Sequence, residues 1–176
     1  MAFKLCVYCA SSSNIDKKYK GLTADVGTFC ARQEYEIVYG GGNVGLMGIL
    51  AETALEAKGR VIGVMPQILI DKEVAHQGLS ELHITDDMQS RQAKMADLAD
   101  AFLVLPGGLG TLAEFFEVIT WKQLGLHDKP IYILNTHGYW DALLQQICYT
   151  YDSGFLRQEP DSLFTVVTDI SQVVPI

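Results

Sequence analysis

Glu114 and Arg91 are the residues whose setting points most directly to chemistry. Glu114 closes the stretch LPGGLGTLAE, Leu105 to Glu114, in which an apolar run passes through glycines into a helix. A carboxylate there can orient or deprotonate water and stabilise positive charge developing on a sugar carbon. Thr111 and Glu114 also have the TxxE spacing of a capping box, in which the threonine oxygen accepts from an amide three residues on and the glutamate reaches back. Cap and catalyst both fit the local pattern. Glu117, one turn later, forms an acid/base couple with Glu114 or is simply solvated. Arg91 shares a helix face with Met88 and Met95 by i, i+3, i+7 spacing, so a guanidinium projects from an otherwise apolar stripe. It either snorkels to water or offers a bidentate fork to an anion.

Two glycine loops accompany these side chains. In YGGGNVGLMG (39–48) glycines that include Gly41 and Gly42 let the backbone approach a ligand, and the helix opening near Gly45 offers unpaired N–H groups suited to phosphate. PGGLGT (106–111) repeats the device with Gly107, Gly108 and Gly110. The alternative is that the glycines only make tight strand-to-helix turns. CASSSN (9–14) adds hydroxyls, Ser12 among them, that suit a phosphate, a ribose or the cap of the next helix. Gly108, Gly110 and Ala113 also fit GxGxxA, but a dinucleotide site expects an acidic residue at the end of the following strand. That strand ends in Asn135, and the strand after the first loop ends in Val64, Met65 and Pro66. A Walker loop is absent as well, since no GxxxxGK[ST] occurs. His76 has no second histidine at ligand spacing, so no metal site is expected.

These residues need a frame, and the periodicity supplies one. Strands are predicted at 3–9, 36–40, 60–66, 100–106, 130–135 and near 163–167, with 82–85 as a short strand or a loop. Helices are predicted at 17–33, 45–59, 87–99, 110–124 and 138–153. FLVL and IYIL are apolar throughout, as strands buried on both faces of a parallel sheet are. The reading is an α/β fold: a single Rossmann-like doubly wound parallel sheet with helices on both faces, forming one nucleotide-binding domain over 1–176. Its ligand would lie beyond the carboxyl ends of the strands. The connection 66–81, which carries Glu73 and His76, is long enough to suggest a functional loop.

The composition of the 176 residues, 49% hydrophobic and 19% charged, is that of a soluble globular chain, and no segment approaches the roughly 20 apolar residues of a membrane span. A net charge of −8 opposes nucleic acid and anionic lipid, so neither is an expected partner, and any phosphate must be held by local devices. MAFKLCVYC reads as a first strand rather than a secretory leader, which implies a cytoplasmic address. The four cysteines, Cys6, Cys9, Cys30 and Cys148, are then expected to be buried free thiols. Cys6 and Cys9, three apart in a strand, would face opposite sides, against a redox or metal pair.

Taken together, YGGGNVGLMG, VIGVMP (61–66), the Met-x-x-Arg-x-x-x-Met helix at 88–95, and PGGLGTLAE (106–114) followed by ITW (119–121) resemble the "lonely guy" family of cytokinin-activating phosphoribohydrolases, whose members are often labelled lysine decarboxylases. The resemblance implies a Rossmann-like homodimer that hydrolyses the N-glycosidic bond of N6-substituted adenosine 5′-monophosphates, and often AMP, with neither metal nor organic cofactor. It carries the catalytic pair onto Arg91 and Glu114, and substrate binding onto Glu73, Gly107, Gly108, Gly110, Thr111 and Thr120. Met88, Gly41, Gly42 and Ser12 complete the expected binding set. The family commonly has Arg-Lys where this chain has Arg91-Gln92, which bears on substrate preference; Lys94, three residues on, is a partial substitute. A purine nucleotide nucleosidase of broader specificity and a non-catalytic nucleotide sensor would use the same loops. A pyridoxal-phosphate decarboxylase would need a buried Schiff-base lysine, and the lysines here lie mostly in polar settings.

Overall fold

In the computed structural model, residues 2–70 and 75–175 are described. Seven parallel strands, β1 (Lys4–Tyr8), β2 (Glu36–Tyr39), β3 (Val61–Pro66), β4 (Glu81–Thr85), β5 (Ala101–Val104), β6 (Ile131–Leu134) and β7 (Thr165–Val167), form one sheet in the order β4-β3-β2-β1-β5-β6-β7. Continuous apolar strands imply helices on both faces, and β1 shows the division residue by residue. Leu5, Val7 and Cys9 enter a core with Val26 and Cys30 of α1 (Lys17–Arg32) and Leu46 and Leu50 of α2 (Gly45–Glu56). Cys6 and Tyr8 point the other way. They join Met95 of α4 (Met88–Leu98), Phe115 and Val118 of α5 (Leu109–Gln123) and Ile147 of α6 (Asp141–Asp152). Cys6 and Cys9 thus lie in different cores, as the period of two requires. Cys148 departs from expectation, because it sits on the solvent face of α6 and is exposed.

The segment at 82–85 is a strand. Its alternating exposure, with Leu82 and Ile84 outward, marks β4 as a sheet edge. Two one-turn helices, α3 (Gln67–Ile70) and α7 (Pro160–Leu163), lie outside the predicted set, since four residues carry no readable period. The helix predicted from 138 begins at Asp141. Before it, Thr136–Gly138 form a 3-10 turn in which His137 and Gly138 both have positive φ, 62° and 66°. No helix among the described residues is long and apolar enough to cross a membrane.

From β1 the sheet grows outward in both directions, toward β2 on one side and β5 on the other. The loops leaving β1 and β5 therefore diverge to opposite faces and open a crevice between them. Leu105 N–H donates to the Tyr8 carbonyl at 2.9 Å, which keeps the two strand ends in step as they enter it.

Candidate active site

A cavity of about 310 Å³ fills this crevice. The turn after β1 supplies Cys9 and Ser12, the turn after β2 supplies Gly40, α4 supplies Met88 and Arg91, and the first turns of α5 supply Gly108, Gly110, Thr111 and Glu114. Residues from distant parts of the chain meet here because each terminates a strand or opens the next helix at one end of the sheet. A second cavity of similar volume adjoins the first, with Ala10, Ser12 and Gly108 common to both and Gly107 and Tyr139 belonging to the second alone.

The start of α5 places Glu114 away from the helix cap. Its N-cap is Gly108, with no side-chain cap bond, so Thr111 is the third helical residue and Glu114 the sixth. The capping-box reading is therefore incorrect: the glycine turn ends at Gly108, so TxxE falls inside the helix rather than at its cap. Glu114 instead lies beside Arg91, with Oε1 3.7 Å from Nη1 and only 12% of its side chain exposed. Burial raises its pKa to about 7, against the opposing pull of the Arg91 guanidinium and with a further push from Glu117. A carboxylate so tuned exchanges protons near neutrality, as a general base must.

Arg91 does not snorkel. It is buried, its Nε–H donates to the Val64 carbonyl at 3.1 Å, and Nη1 lies 3.9 Å from the Met88 sulfur. The guanidinium lies against Gly40, where a Cβ would overlap Nη2. Cys9 shares the wall, but burial pushes its thiol far above the usual range, so it presents a neutral S–H rather than a nucleophilic thiolate.

The two glycine loops are not equivalent. At α2 the Ala10 carbonyl accepts from both Leu46 N–H (2.9 Å) and Met47 N–H (3.3 Å), and Gly45 packs against the Ser11 and Ser12 backbone. That terminus is occupied by the protein itself, which corrects the expectation of two anion-ready loops. At α5 the first helical bond runs from Leu112 N–H to the Gly108 carbonyl. The amides of Leu109, Gly110 and Thr111 precede it and have no acceptor among the described residues, which leaves them free for an anion.

Of the expected site residues, Ser12, Met88, Arg91, Gly108, Gly110, Thr111 and Glu114 meet on the first cavity and Gly107 lines the second. Gly41 and Gly42 are buried behind the wall, with Gly42 bridged to Ala75. Thr120 is on the exposed side of α5, its hydroxyl donating to the Phe116 carbonyl, and Glu73 lies outside the described residues. Gln92 is buried off the cavity wall with Oε1 unpaired among the described residues, and Lys94 is off the wall too. Gly40 of the first glycine loop borders the first cavity, and Met47, Leu69 and Tyr139 border the cavities without having been expected to. Among the described residues, no group of three or more His, Cys, Asp or Glu could hold a metal ion.

A crevice at the switch point of a parallel sheet, with a free helix terminus beside a buried carboxylate and guanidinium, defines a Rossmann-like α/β protein equipped for an anionic ligand and for proton transfer. Comparison with known proteins gives the family. The family described as "possible lysine decarboxylase" matches residues 47–176. A cytokinin riboside 5′-monophosphate phosphoribohydrolase of Rhodococcoides fascians is 44% identical over 96% of this chain and 85% of its own length. An Arabidopsis thaliana enzyme of the same name is 39% identical over 97% of this chain and 75% of its own. The chain belongs to this family of cytokinin riboside 5′-monophosphate phosphoribohydrolases. The same fold occurs in a molybdenum cofactor carrier protein of Chlamydomonas reinhardtii, with a TM-score of 0.72 at 19% identity over 97% of this chain and 92% of that one.

Proposed function

We propose that this protein hydrolyses the N-glycosidic bond of N6-substituted adenosine 5′-monophosphates, and of AMP, to the free base and ribose 5-phosphate. The observation that carries the reading is the Arg91–Glu114 pair in the same cavity as the unpaired amides of α5. The 5′-phosphate is held by the amides of Leu109 to Thr111 and by the helix dipole behind them, and Ser12 adds a hydroxyl. The ribose then lies along α5 toward Glu114. As the C1′–N9 bond breaks, positive charge develops on C1′ and O4′, and the ionised carboxylate stabilises it. Water attacks C1′, its oxygen forms the new C1′–O bond, and Glu114 takes the proton that ends on the departing base. Arg91 holds the carboxylate in place and faces the substrate with its remaining donors.

The reading extends to a single nucleotide-binding domain that works in the cytoplasm as a homodimer, with no cofactor and no nucleic-acid partner. Buried, unpaired thiols at Cys6, Cys9 and Cys30 suit a reducing compartment. An exposed apolar stripe along α5 and its C-cap, Leu109, Phe116 and Leu124, begins at the cavity mouth and supports self-association. Thr120 lies between the last two, so a second copy would bring it toward a neighbouring mouth. The inherited decarboxylase description finds no support at the cavity, where no lysine among the described residues lines the wall.

A panel of N6-substituted AMPs, AMP, other monophosphates and the matching nucleosides, assayed for free base and ribose 5-phosphate, tests the reading. Cleavage of purine monophosphates is expected to exceed that of the matching nucleosides by a wide margin, leaving only residual nucleoside turnover. Equal cleavage of nucleosides would refute the phosphate anchor.

A further inference from the structure

The turn between β6 and α6 is built at some cost to hold one side chain. His137, a residue with a Cβ, is held at φ 62°, and Gly138 follows at 66°. Strain of this kind persists where the surroundings over-determine the backbone, and functional sites are where it clusters. Here Asn135 supplies the determination: its Oδ1 accepts from Trp140 N–H at 2.8 Å and its Nδ2 donates to Asp141 Oδ1 at 2.7 Å. The residue thereby presented is Tyr139. Its ring stands edge-on to Tyr19 at 5.3 Å and to Trp140 at 4.7 Å, and its hydroxyl donates to the Gly107 carbonyl at 2.7 Å.

The Gly107 carbonyl belongs to the same planar trans peptide as the Gly108 N–H, so the two point in opposite directions. Tyr139 borders only the second cavity, whereas Gly108 borders both. Drawing the carbonyl toward Tyr139 turns the Gly108 N–H away from it. A peptide between two glycines meets little steric resistance to rotation, so the local backbone does not fix this orientation unaided. Thr111 packs against the Gly107 Cα, where a Cβ would overlap its side chain, and this pins the position of Gly107 but not the plane of the peptide that follows.

We infer that Tyr139 is a positioning residue that locks the Gly107–Gly108 peptide so that the Gly108 N–H joins the amides of α5 as a phosphate donor. The inference rests on the phosphate site proposed above. It assigns a task to a side chain some 30 residues beyond the glycine loop, which never touches the reacting atoms.

Tyr139→Phe removes only the hydroxyl and keeps the ring packing. Ribose 5-phosphate binding by calorimetry and kcat/KM for AMP and for adenosine are measured on both proteins. The variant is expected to bind ribose 5-phosphate about tenfold more weakly, the scale of one donor to a charged acceptor. It should lose a similar factor on AMP through KM, with residual turnover of adenosine unchanged. A purely structural role would lower both substrates alike and would overturn the inference. So would equal ribose 5-phosphate binding by the two proteins, or none by the wild type. Failure of the wild type to release base while Tyr139→Phe still weakens ribose 5-phosphate binding would refute the proposed reaction and leave the lock standing.

Discussion

Gly40 and Arg91 occupy mutually exclusive space: the guanidinium lies where a Cβ on residue 40 would have to stand. A glycine at the end of β2 and an arginine on α4, distant in sequence, are thus parts of one device. Gly40→Ala is expected to push Arg91 off its bond to Val64 and away from Glu114. The cost should be about a hundredfold in kcat/KM, as for small misplacements of reacting groups, and about 1 to 3 kcal/mol in stability from overpacking. Steady-state kinetics and urea unfolding measure the two. Wild-type activity in the folded variant would show that Arg91 is not needed where it lies.

The raised pKa of Glu114 makes a joint prediction for activity and stability. In the unfolded chain the group titrates near 4.5 and in the folded protein near 7. Below pH 4.5 it is protonated in both states. Between 4.5 and 7 the unfolded chain ionises first, so stability falls as pH rises, and above 7 the loss is complete at about 3 kcal/mol. Glu114→Gln should therefore be more stable than wild type at pH 8, with the difference vanishing below pH 4.5. Wild-type kcat/KM should rise with pH through about 7 as the carboxylate ionises. Urea melts at pH 4, 6 and 8 beside a pH–rate profile provide the check.

Gly110 separates binding from folding. It is the second residue of α5, borders the cavity, and has open space where a Cβ would go. Gly110→Ala should stabilise the helix by about 0.5 kcal/mol while its methyl intrudes on the phosphate. A higher melting temperature with a raised KM for monophosphates is expected. An unchanged KM would move the phosphate away from α5.

The apolar stripe on α5 predicts the oligomeric state. Phe116 and Leu124 are 42% and 68% exposed. Aspartate at both places should convert a dimer to a monomer, read by light scattering on a sizing column. A monomeric wild type would refute the assignment of this surface.

Much of this was legible in the sequence, and what was not has physical reasons. Apolar runs broken by glycines predict the strands and long helices, because a doubly covered parallel sheet leaves few positions polar. Arg91 on an apolar face flags a cation in need of a partner but leaves snorkelling and burial open, and only the fold decides for burial. The role of Glu114 was not decided locally, since TxxE has the same spacing at a helix start and inside a helix; only the position of Gly108 as N-cap separates them. The two glycine loops read alike in sequence, yet the Ala10 carbonyl fills one helix terminus and leaves the other free. Tyr139 carries no local signal, and Gly40 reads only as one glycine of its loop, because each acts on a residue brought near only by the fold.

The most direct test is the rate of base and ribose 5-phosphate release from an N6-substituted AMP by wild type and Glu114→Gln at pH 8. The wild type should form the two products in equal amounts, and the variant should be slower by about 10³-fold while still folded and still binding ribose 5-phosphate. A folded Glu114→Gln that releases base at the wild-type rate would contradict the assignment of Glu114 as the catalytic carboxylate.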